Sequence, residues 1–328
     1  MYPNFVNVYM KYLLNLFVIS ILLPSQICAQ KVDNFSSYNT INDFSYFRFH
    51  YDNDYFTSSD ENYTQGYSFE VVLNALRKNP LNAILLNDSD ASQQFGLSLD
   101  HIGYTPFRIG SPDIQFGDRP FASAIMLKSF KINTNETRKS RLISALRLGI
   151  IGPAAFGKEM QVGIHEATGN TIPLGWKYQI KNDAIVNYEV VYQKEIVAIP
   201  QYFSLQYEAS ANFGTLNTNV SGSLVAMAGV FNTPFSNQRN HKFQIYIFSK
   251  PQVNFVGYDA TLQGGLFNRK SPYTIKTSNV ERIVGQHNFG MVIQTKTLYF
   301  EYTTTDITKE FSTGKAASWG GIKIGFTF

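Results

Sequence analysis

The sequence predicts an all-β fold, a twelve-stranded antiparallel transmembrane β-barrel with a short helix in an extracellular loop. Three observations support this prediction: an alternating C-terminal segment, an export signal, and many aromatic residues without a long apolar helix. Residues 322–328 alternate apolar with small or polar side chains and end on Phe328. A strand between lipid and water has this period of two. A C-terminal strand of a soluble sandwich alternates similarly, so this segment alone leaves both folds open.

The N-terminus indicates export. Lys11 precedes an apolar run over residues 13–23, followed by Pro24 and small or polar residues, which is the pattern of a secretory signal peptide. With cleavage after Ala29, residues 1–29 are the signal peptide and residues 30–328 form the barrel domain. The only cysteine, Cys28, leaves with the signal, so the mature chain has no disulfide and no thiolate metal site.

Composition agrees with a barrel in the outer membrane of a Gram-negative bacterium. Aromatic residues make up 15% of the chain, yet no segment after the signal has the apolar length of a membrane-spanning helix. The net charge is only +4, and no Lys/Arg run is long enough to coat a phosphate backbone. We therefore expect no nucleic-acid partner, and we expect a monomer.

Alternation along the chain predicts about twelve strands. An even number places both ends of the chain on the periplasmic side, so the connections after odd-numbered strands face outward and should be long. The segments near 105–120, 152–183 and 259–281 fit this scheme, whereas residues 75–93 would form a long inward turn. The predicted strands are 46–53, 63–74, 94–104, 121–133, 138–151, 184–196, 202–213, 217–231, 242–258, 282–294, 297–306 and 319–328.

Polar residues of three segments fall at one mouth of this barrel. Asn53 and Asp54 end the first strand, and Thr64 lies where the second strand begins on the same side. In the loop after the fifth strand, a helix predicted between Pro153 and Gly169 carries Gln161 and His165 on one face. Carboxylate, carbonyl and hydroxyl oxygens suit a hard cation such as calcium, and a neutral imidazole suits a general base.

Each segment also has an ordinary structural explanation. Asn53 and Asp54 fit turn chemistry, Thr64 is a strand-favouring residue, and a single loop histidine such as His165 is often a surface or capping residue. Only their coincidence at one mouth favours an active site.

Motifs along residues 46–328 together resemble the family of outer-membrane lipid A 3′-O-deacylases, which are twelve-stranded barrels that remove an acyloxyacyl group from lipopolysaccharide. The resemblance lies in the order and spacing of these motifs. They are Asn53-Asp54 with Thr64-x-Gly66, Gly117-Asp118-Arg119-Pro120-Phe121-Ala122, Gly152-Pro153, Gln161-x-x-x-His165-x-x-x-Gly169, Trp176-x-x-Gln179-Ile180-x-Asn182, Thr261-Leu262-Gln263-Gly264 and Glu310-Phe311-x-Thr313-Gly314.

The resemblance implies a calcium-dependent ester hydrolysis of lipid A with no serine nucleophile. His165 would take a proton from the attacking water, and calcium near Asn53, Asp54 and Thr64 would stabilise the oxyanion. Gln161 would orient substrate or water.

Arg108 and Arg119 are the substrate-binding candidates that the resemblance suggests. Arg108 is the apparent counterpart of a Lys-Arg pair in the family, and Arg119 lies in one of the shared motifs. Two acidic positions of the family differ here, because Tyr55 and Thr171 occupy them.

Two other functions fit a barrel of this size. An outer-membrane phospholipase would use a Ser-His pair, but no histidine here has the Ser-Asn-Gly context of such enzymes. A small porin or structural barrel would have a polar, charged lumen, whereas strands such as residues 144–149 suggest only scattered inward charges.

Overall fold

The architecture is a closed antiparallel barrel. The computed structural model describes residues 41, 45–53, 62–236 and 241–328, so the predicted signal peptide and Asp54 lie outside the described residues. In this part of the chain each strand pairs with its sequence neighbours, and β1 closes the barrel against β12. The twelve strands are β1 (Tyr46–Asn53), β2 (Asn62–Val72), β3 (Ser92–Thr105), β4 (Ala122–Asn135), β5 (Ser140–Ile151), β6 (Asp183–Ile199), β7 (Phe203–Gly214), β8 (Asn217–Val230), β9 (Gln244–Asp259), β10 (Ile283–Gln294), β11 (Leu298–Ile307) and β12 (Ala317–Thr327).

The fold prediction is confirmed, and the strand bounds differ by at most three residues. β1 has its predicted bounds, whereas β6 continues to Ile199 instead of ending at Ile196. The reason is a register shift between Glu195 and Val197 in the pairing with β7. The inserted residue breaks the alternation of the sequence without ending the hydrogen-bonded ladder.

Short helices lie in the connections between the strands. The predicted loop helix is present as α1 (Gly157–Thr168), which ends where Gly169 takes a left-handed conformation with φ of 72°. A second helix, α2 (Ala260–Gln263), follows β9. Among the described residues, no helix is long and apolar enough to cross a membrane. The 3-10 turns are Asn74–Lys78, Pro80–Ile84, Pro153–Ala155, Gly175–Tyr178 and Thr277–Asn279.

The two ends of the barrel differ. Strands β1 and β12 place Tyr46 and Thr327 side by side at one end, here called the terminal end. Long connections over residues 106–121, 152–182 and 260–282 lie at the opposite end, here called the loop end. Three connections depart from this division. Residues 215–216 form a tight turn at the loop end, whereas residues 73–91, the predicted long turn, and residues 231–243 are long connections at the terminal end.

The lumen is filled by side chains. One apolar cluster that includes Tyr46, Phe130 and Tyr299 lies toward the terminal end, and another that includes Tyr104 and Trp319 lies toward the loop end. Buried ion pairs between them make the lumen more highly charged than the sequence suggested. These charges are therefore paired with one another inside the barrel. The pairs are Arg48–Glu70 at 2.7 Å, Arg147–Glu189 at 2.9 Å, Lys250–Glu208 at 2.6 Å and Lys323–Glu301 at 2.9 Å.

Candidate active site on the outer wall

The candidate site begins with a row of residues across four neighbouring strands. Asn53 pairs with Gln65, Gln65 with Gly103, and Gly103 with Ser123. Alternate residues of a strand lie on opposite faces, and Asp52 next to Asn53 faces the lumen. The row therefore lies on the outer wall at the loop end. Asn53 and Thr64 therefore lie at the expected end of the barrel, on its outer wall.

Helix α1 lies against this wall because its first residue is a glycine. A Cβ atom at Gly157 would approach Ser123 Cβ to 2.4 Å and the Trp176 ring to 2.8 Å. Gly157, Gln161 and His165 follow one another at intervals of four residues, and all three are buried. They form a single face of the helix. The sequence thus places Gln161 and His165 on the covered side of α1, as predicted.

The His165 ring is oriented by the main chain. Its Nδ1 lies 2.6 Å from the carbonyl oxygen of Thr171, which can only accept a hydrogen bond. The proton of the neutral ring is therefore on Nδ1, and Nε2 carries the lone pair that a general base needs. The main chain at Thr171 thus orients the imidazole at a position where the family was expected to have an acid.

Gln161 is oriented by an indole. Trp176 Nε1 donates to Gln161 Oε1 at 2.7 Å, and both residues are at least 98% buried. Because an indole N–H can only donate, the amide atom next to it is Oε1, and Nε2 points away from the indole. Within the described residues, this buried Nε2 has no hydrogen-bond partner. A buried donor without a partner is costly, and it indicates a place where a substrate or water oxygen binds.

Asn53 and Thr64 are joined at the top of β1 and β2. The Asn53 Nδ2 group donates to the Thr64 carbonyl oxygen at 2.9 Å and to the Tyr51 hydroxyl at 3.0 Å. Both hydrogens of Nδ2 are used in these two bonds, so Oδ1 points away from the Thr64 carbonyl oxygen and the Tyr51 hydroxyl. Thr64 lies in a β-bulge, where the pairing shifts between Tyr63 and Gln65, and its hydroxyl contacts that of Thr105.

The oxygen atoms present here fit a hard cation better than a soft one. Amide, hydroxyl and carbonyl oxygens of Asn53, Thr64 and Thr105 are hard donors of the kind that calcium prefers. In the described ranges, no group of three or more His, Cys, Asp or Glu side chains is positioned to hold a metal. Asp54, the strongest ligand that the sequence suggested, lies outside the described residues.

The two arginine candidates occupy different settings. Arg108 is exposed in the β3–β4 connection, where its backbone exchanges hydrogen bonds with the Gln115 side chain. Arg119 is 1% exposed, forms an ion pair with Glu310 and lies 4.0 Å from the centre of the Tyr104 ring. Its contacts connect two loops at the loop end, whereas only Arg108 is open to a ligand.

Sequence reasoning missed two supporting features. Trp176 belongs to one of the family motifs but had no assigned role, although the N–H of a buried indole usually has a hydrogen-bond partner. His101 stacks on Tyr67 at 4.9 Å, and its Nε2 lies 2.9 Å from the Ala155 carbonyl oxygen. These contacts hold the turn before α1 on the outer wall. Nothing in the strand alternation could reveal either partner.

Apolar side chains border the site. Phe156 is 61% exposed, Ile164 39% and Leu174 50%, and all three belong to the connection that carries α1. The connection that covers the buried polar groups of α1 thus has an apolar outer surface.

Comparisons with known proteins agree with this architecture. The family described as "Outer membrane protein LpxR" matches residues 14–328. Among solved structures, LpxR from Salmonella typhimurium is 20% identical with a TM-score of 0.71, over 87% of this chain and 100% of that one. The β domain of the Bordetella autotransporter Brka is 8% identical with a TM-score of 0.46, over 87% and 98%. No curated protein matches the chain.

Proposed function

Since the chain belongs to the LpxR family of outer membrane proteins, we propose that it is a hydrolase that removes an ester-linked acyl chain from lipid A. The observation that carries the proposal is the pair of oriented groups on the covered face of α1. Gln161 Nε2 is buried without a partner in the described part of the chain, and the His165 ring is held by the Thr171 carbonyl oxygen. Both lie beside an outer wall, where a membrane lipid can reach them.

The reaction follows from these orientations. Nε2 of His165 accepts a proton from water as the water oxygen attacks the ester carbonyl carbon. The same nitrogen returns the proton to the leaving alkoxide oxygen as the tetrahedral adduct collapses into a fatty acid and an alcohol. Gln161 Nε2 donates a hydrogen bond to the substrate carbonyl or to the water. This bond holds the reacting groups in the orientation that the attack requires.

Calcium is proposed as the cofactor at the top of β1 and β2. Asn53 Oδ1, the Thr64 hydroxyl and the Asp54 carboxylate would hold it. A bound divalent cation supplies positive charge that stabilises the oxyanion. We expect activity to be lost in a chelator and restored by calcium, and Asp54→Asn to raise the calcium concentration required. Full activity of the metal-stripped protein in a chelator would remove calcium from the mechanism.

Substrate contacts are proposed for the basic residues of the loop end. Arg108 is exposed and suits a phosphate group of lipid A, because a guanidinium binds phosphate through two parallel hydrogen bonds. For Arg119 the ion pair with Glu310 favours a structural role in place of the substrate contact suggested by sequence.

A serine-based phospholipase is the second candidate. One observation favours it: Ser249 Oγ lies 2.9 Å from His287 Nε2 on the outer wall. Against it, the Ser249 hydroxyl and His287 Nε2 are used in their mutual hydrogen bond, whereas Gln161 Nε2 is buried without a partner in the described part of the chain. The pair is explained more simply as two polar groups that satisfy each other.

The deciding experiment measures fatty acid released from lipid A and from a glycerophospholipid in mixed micelles, at matched amounts of folded protein. We expect the parent to act on lipid A and His165→Ala to lose about a hundred- to ten-thousand-fold in rate. His241→Ala, a change of another connection histidine, is the matched control and should retain activity. Loss in Ser249→Ala with full activity in His165→Ala would support the serine enzyme. No release from either lipid by the folded parent would contradict both.

A further inference from the structure

The long turn at the terminal end, residues 73–91, lies on the outer wall of the barrel instead of below it. Asn79 Nδ2 donates to Ser129 Oγ at 3.1 Å, and the Leu86 backbone N–H donates to Ser144 Oγ at 2.9 Å. Tyr188 donates its hydroxyl to the Ile84 carbonyl oxygen at 2.8 Å. These partners belong to β4, β5 and β6, so the segment covers three strands from the outside.

The wall under this segment is polar. Ser129, Lys131 and Asn133 face outward on β4, as their exposed neighbour Leu127 does two residues earlier, and Ser144 faces outward on β5. All four are at least 94% buried because residues 73–91 cover them. Polar groups would be costly against hydrocarbon without partners, and the segment provides partners for them.

Elsewhere the terminal end carries a ring of exposed apolar side chains. Such a ring is the girdle with which a membrane barrel meets the lipid boundary. Near this end no large apolar side chain of β4 or β5 is exposed, and the covering segment lies over both strands. The exposed members are Tyr202, Phe243, Leu298, Phe326 and Phe328.

The outward face of the segment has the required chemistry. Ile84 is 54% exposed and Leu86 41%, while Leu85 between them is 5% exposed and anchors the segment on the wall. Arg77 and Lys78 end the first 3-10 turn and are exposed. Within the described residues neither forms an ion pair, because the acids of the segment, Asp88 and Asp90, pair with Arg138.

The segment lies at the height where the headgroups of one leaflet meet its acyl chains. Ser129 lies six residues above Asn135, the end of β4, which corresponds to about 15 Å along the barrel axis for a tilted strand. The segment therefore reaches from the terminal end into the zone where headgroups give way to acyl chains. In an outer-membrane barrel, the terminal end faces the periplasm.

We propose that residues 73–91 form an interfacial element that binds anionic phospholipid of the periplasmic leaflet. Ile84 and Leu86 insert among the acyl chains, and Arg77 and Lys78 bind the phosphate headgroups. The proposal is independent of the enzymatic function, because this segment is at the opposite end of the barrel from α1.

Fluorescence quenching tests the insertion. In vesicles of phosphatidylcholine with brominated acyl chains, Ile84→Trp should lose most of its added emission after the signal of the parent is subtracted. The two native tryptophans, Trp176 and Trp319, are at most 2% exposed. Phe267→Trp, at a 73% exposed position of the loop end, is the control and should keep its emission. Leu86→Trp provides a second reporter if the first does not fold. Equal emission of the folded reporters and the control would overturn the proposal.

A second arm tests the headgroup. Brominated phosphatidylglycerol diluted into ordinary phosphatidylcholine should quench the Ile84→Trp reporter several-fold more than brominated phosphatidylcholine at the same dilution. Adding Arg77→Gln and Lys78→Gln should abolish this preference. Adding Arg269→Gln and Lys270→Gln, the same Arg-Lys pair at the loop end, should leave it unchanged. A preference that survives loss of Arg77 and Lys78 would overturn the assignment of the headgroup contact.

Discussion

The lumen and the outer-wall site are both buried and polar, yet they differ in where their polar atoms point. In the lumen, Glu301 is bound by Lys323 at 2.9 Å and by the Tyr299 hydroxyl, so its carboxylate is used inside the protein. Under α1, Trp176 binds Oε1 of Gln161, and the Thr171 carbonyl oxygen binds Nδ1 of His165. The Nε2 atom of each side chain points away from these partners. Buried polarity alone therefore does not identify a site.

The largest expected effect concerns the lumen. Glu301→Gln removes the charge that Lys323 faces, and breaking a buried ion pair on one side typically costs about 3–5 kcal/mol. We expect a lower unfolding midpoint in detergent, measured by the heat-dependent shift on electrophoresis, with unchanged activity per folded molecule. Asp90→Asn breaks an exposed pair with Arg138 and should cost less than about 1 kcal/mol. Equal losses in the two variants would contradict the view that the lumen charges stabilise the barrel.

The next effect concerns the fit of α1 on the wall. Gly157→Ala places a methyl group against Ser123 and should displace the helix, with about a hundredfold loss of deacylation, since a small misplacement is sufficient for that. Gly163→Ala is the matched control in the same helix, because nothing lies within 4 Å of its added methyl group. The measurement is fatty acid release from lipid A. Similar rates for both alanine variants would argue against a site under this face.

A smaller loss is expected for Gln161→Ala. Removing one oriented hydrogen-bond donor should reduce the rate roughly tenfold, which is less than the loss of the base. The reduction should appear in kcat, since the bond aligns the reacting groups. Glu166→Ala changes an exposed residue of the same helix and should have no effect. A full-rate Gln161→Ala enzyme would show that the unpartnered amide is incidental.

The smallest effect is predicted for Thr64→Ala. If its hydroxyl is a weak calcium ligand, the calcium concentration needed for half-maximal activity should rise a few-fold while the maximal rate stays the same. Thr64→Ser retains the hydroxyl and should behave as the parent. Calcium titration of activity checks both. Identical curves for all three proteins would assign Thr64 a purely structural role in the β-bulge.

Most of the barrel could be predicted because the alternation of apolar and polar residues along each strand is visible in the local sequence. Alternation gave the bounds of β1 correctly, and Gly169 marked the end of α1, whereas Pro153 begins a separate 3-10 turn before the helix. The bulge at Glu195 and Val197 was not predictable, because an unpaired residue changes the parity of the pattern without ending the strand. Nor could alternation reveal that residues 73–91 fold back against the wall, since that position depends on contacts with three distant strands.

For the candidate site, the shared helical face was predictable from the sequence, whereas its position in the fold was not. Spacing placed Gln161 and His165 on one helical face, and both are buried there. Which wall they cover depends on the fit of Gly157 on Ser123, a contact between residues 34 positions apart that no local pattern records. The orienting role of the Thr171 carbonyl oxygen was equally hidden, because any residue has such an oxygen.

The placement of α1 beside the barrel, and not above its lumen, has a kinetic consequence. A substrate that shares the leaflet with the protein arrives by lateral diffusion, so its supply depends on its mole fraction in the membrane and not on a bulk concentration. The released fatty acid enters the same leaflet, next to the exposed Phe156 and Leu174. In the proposed reaction, turnover therefore changes the lipid composition of the leaflet around the protein. We expect the rate to fall with time as substrate in that leaflet is replaced by product.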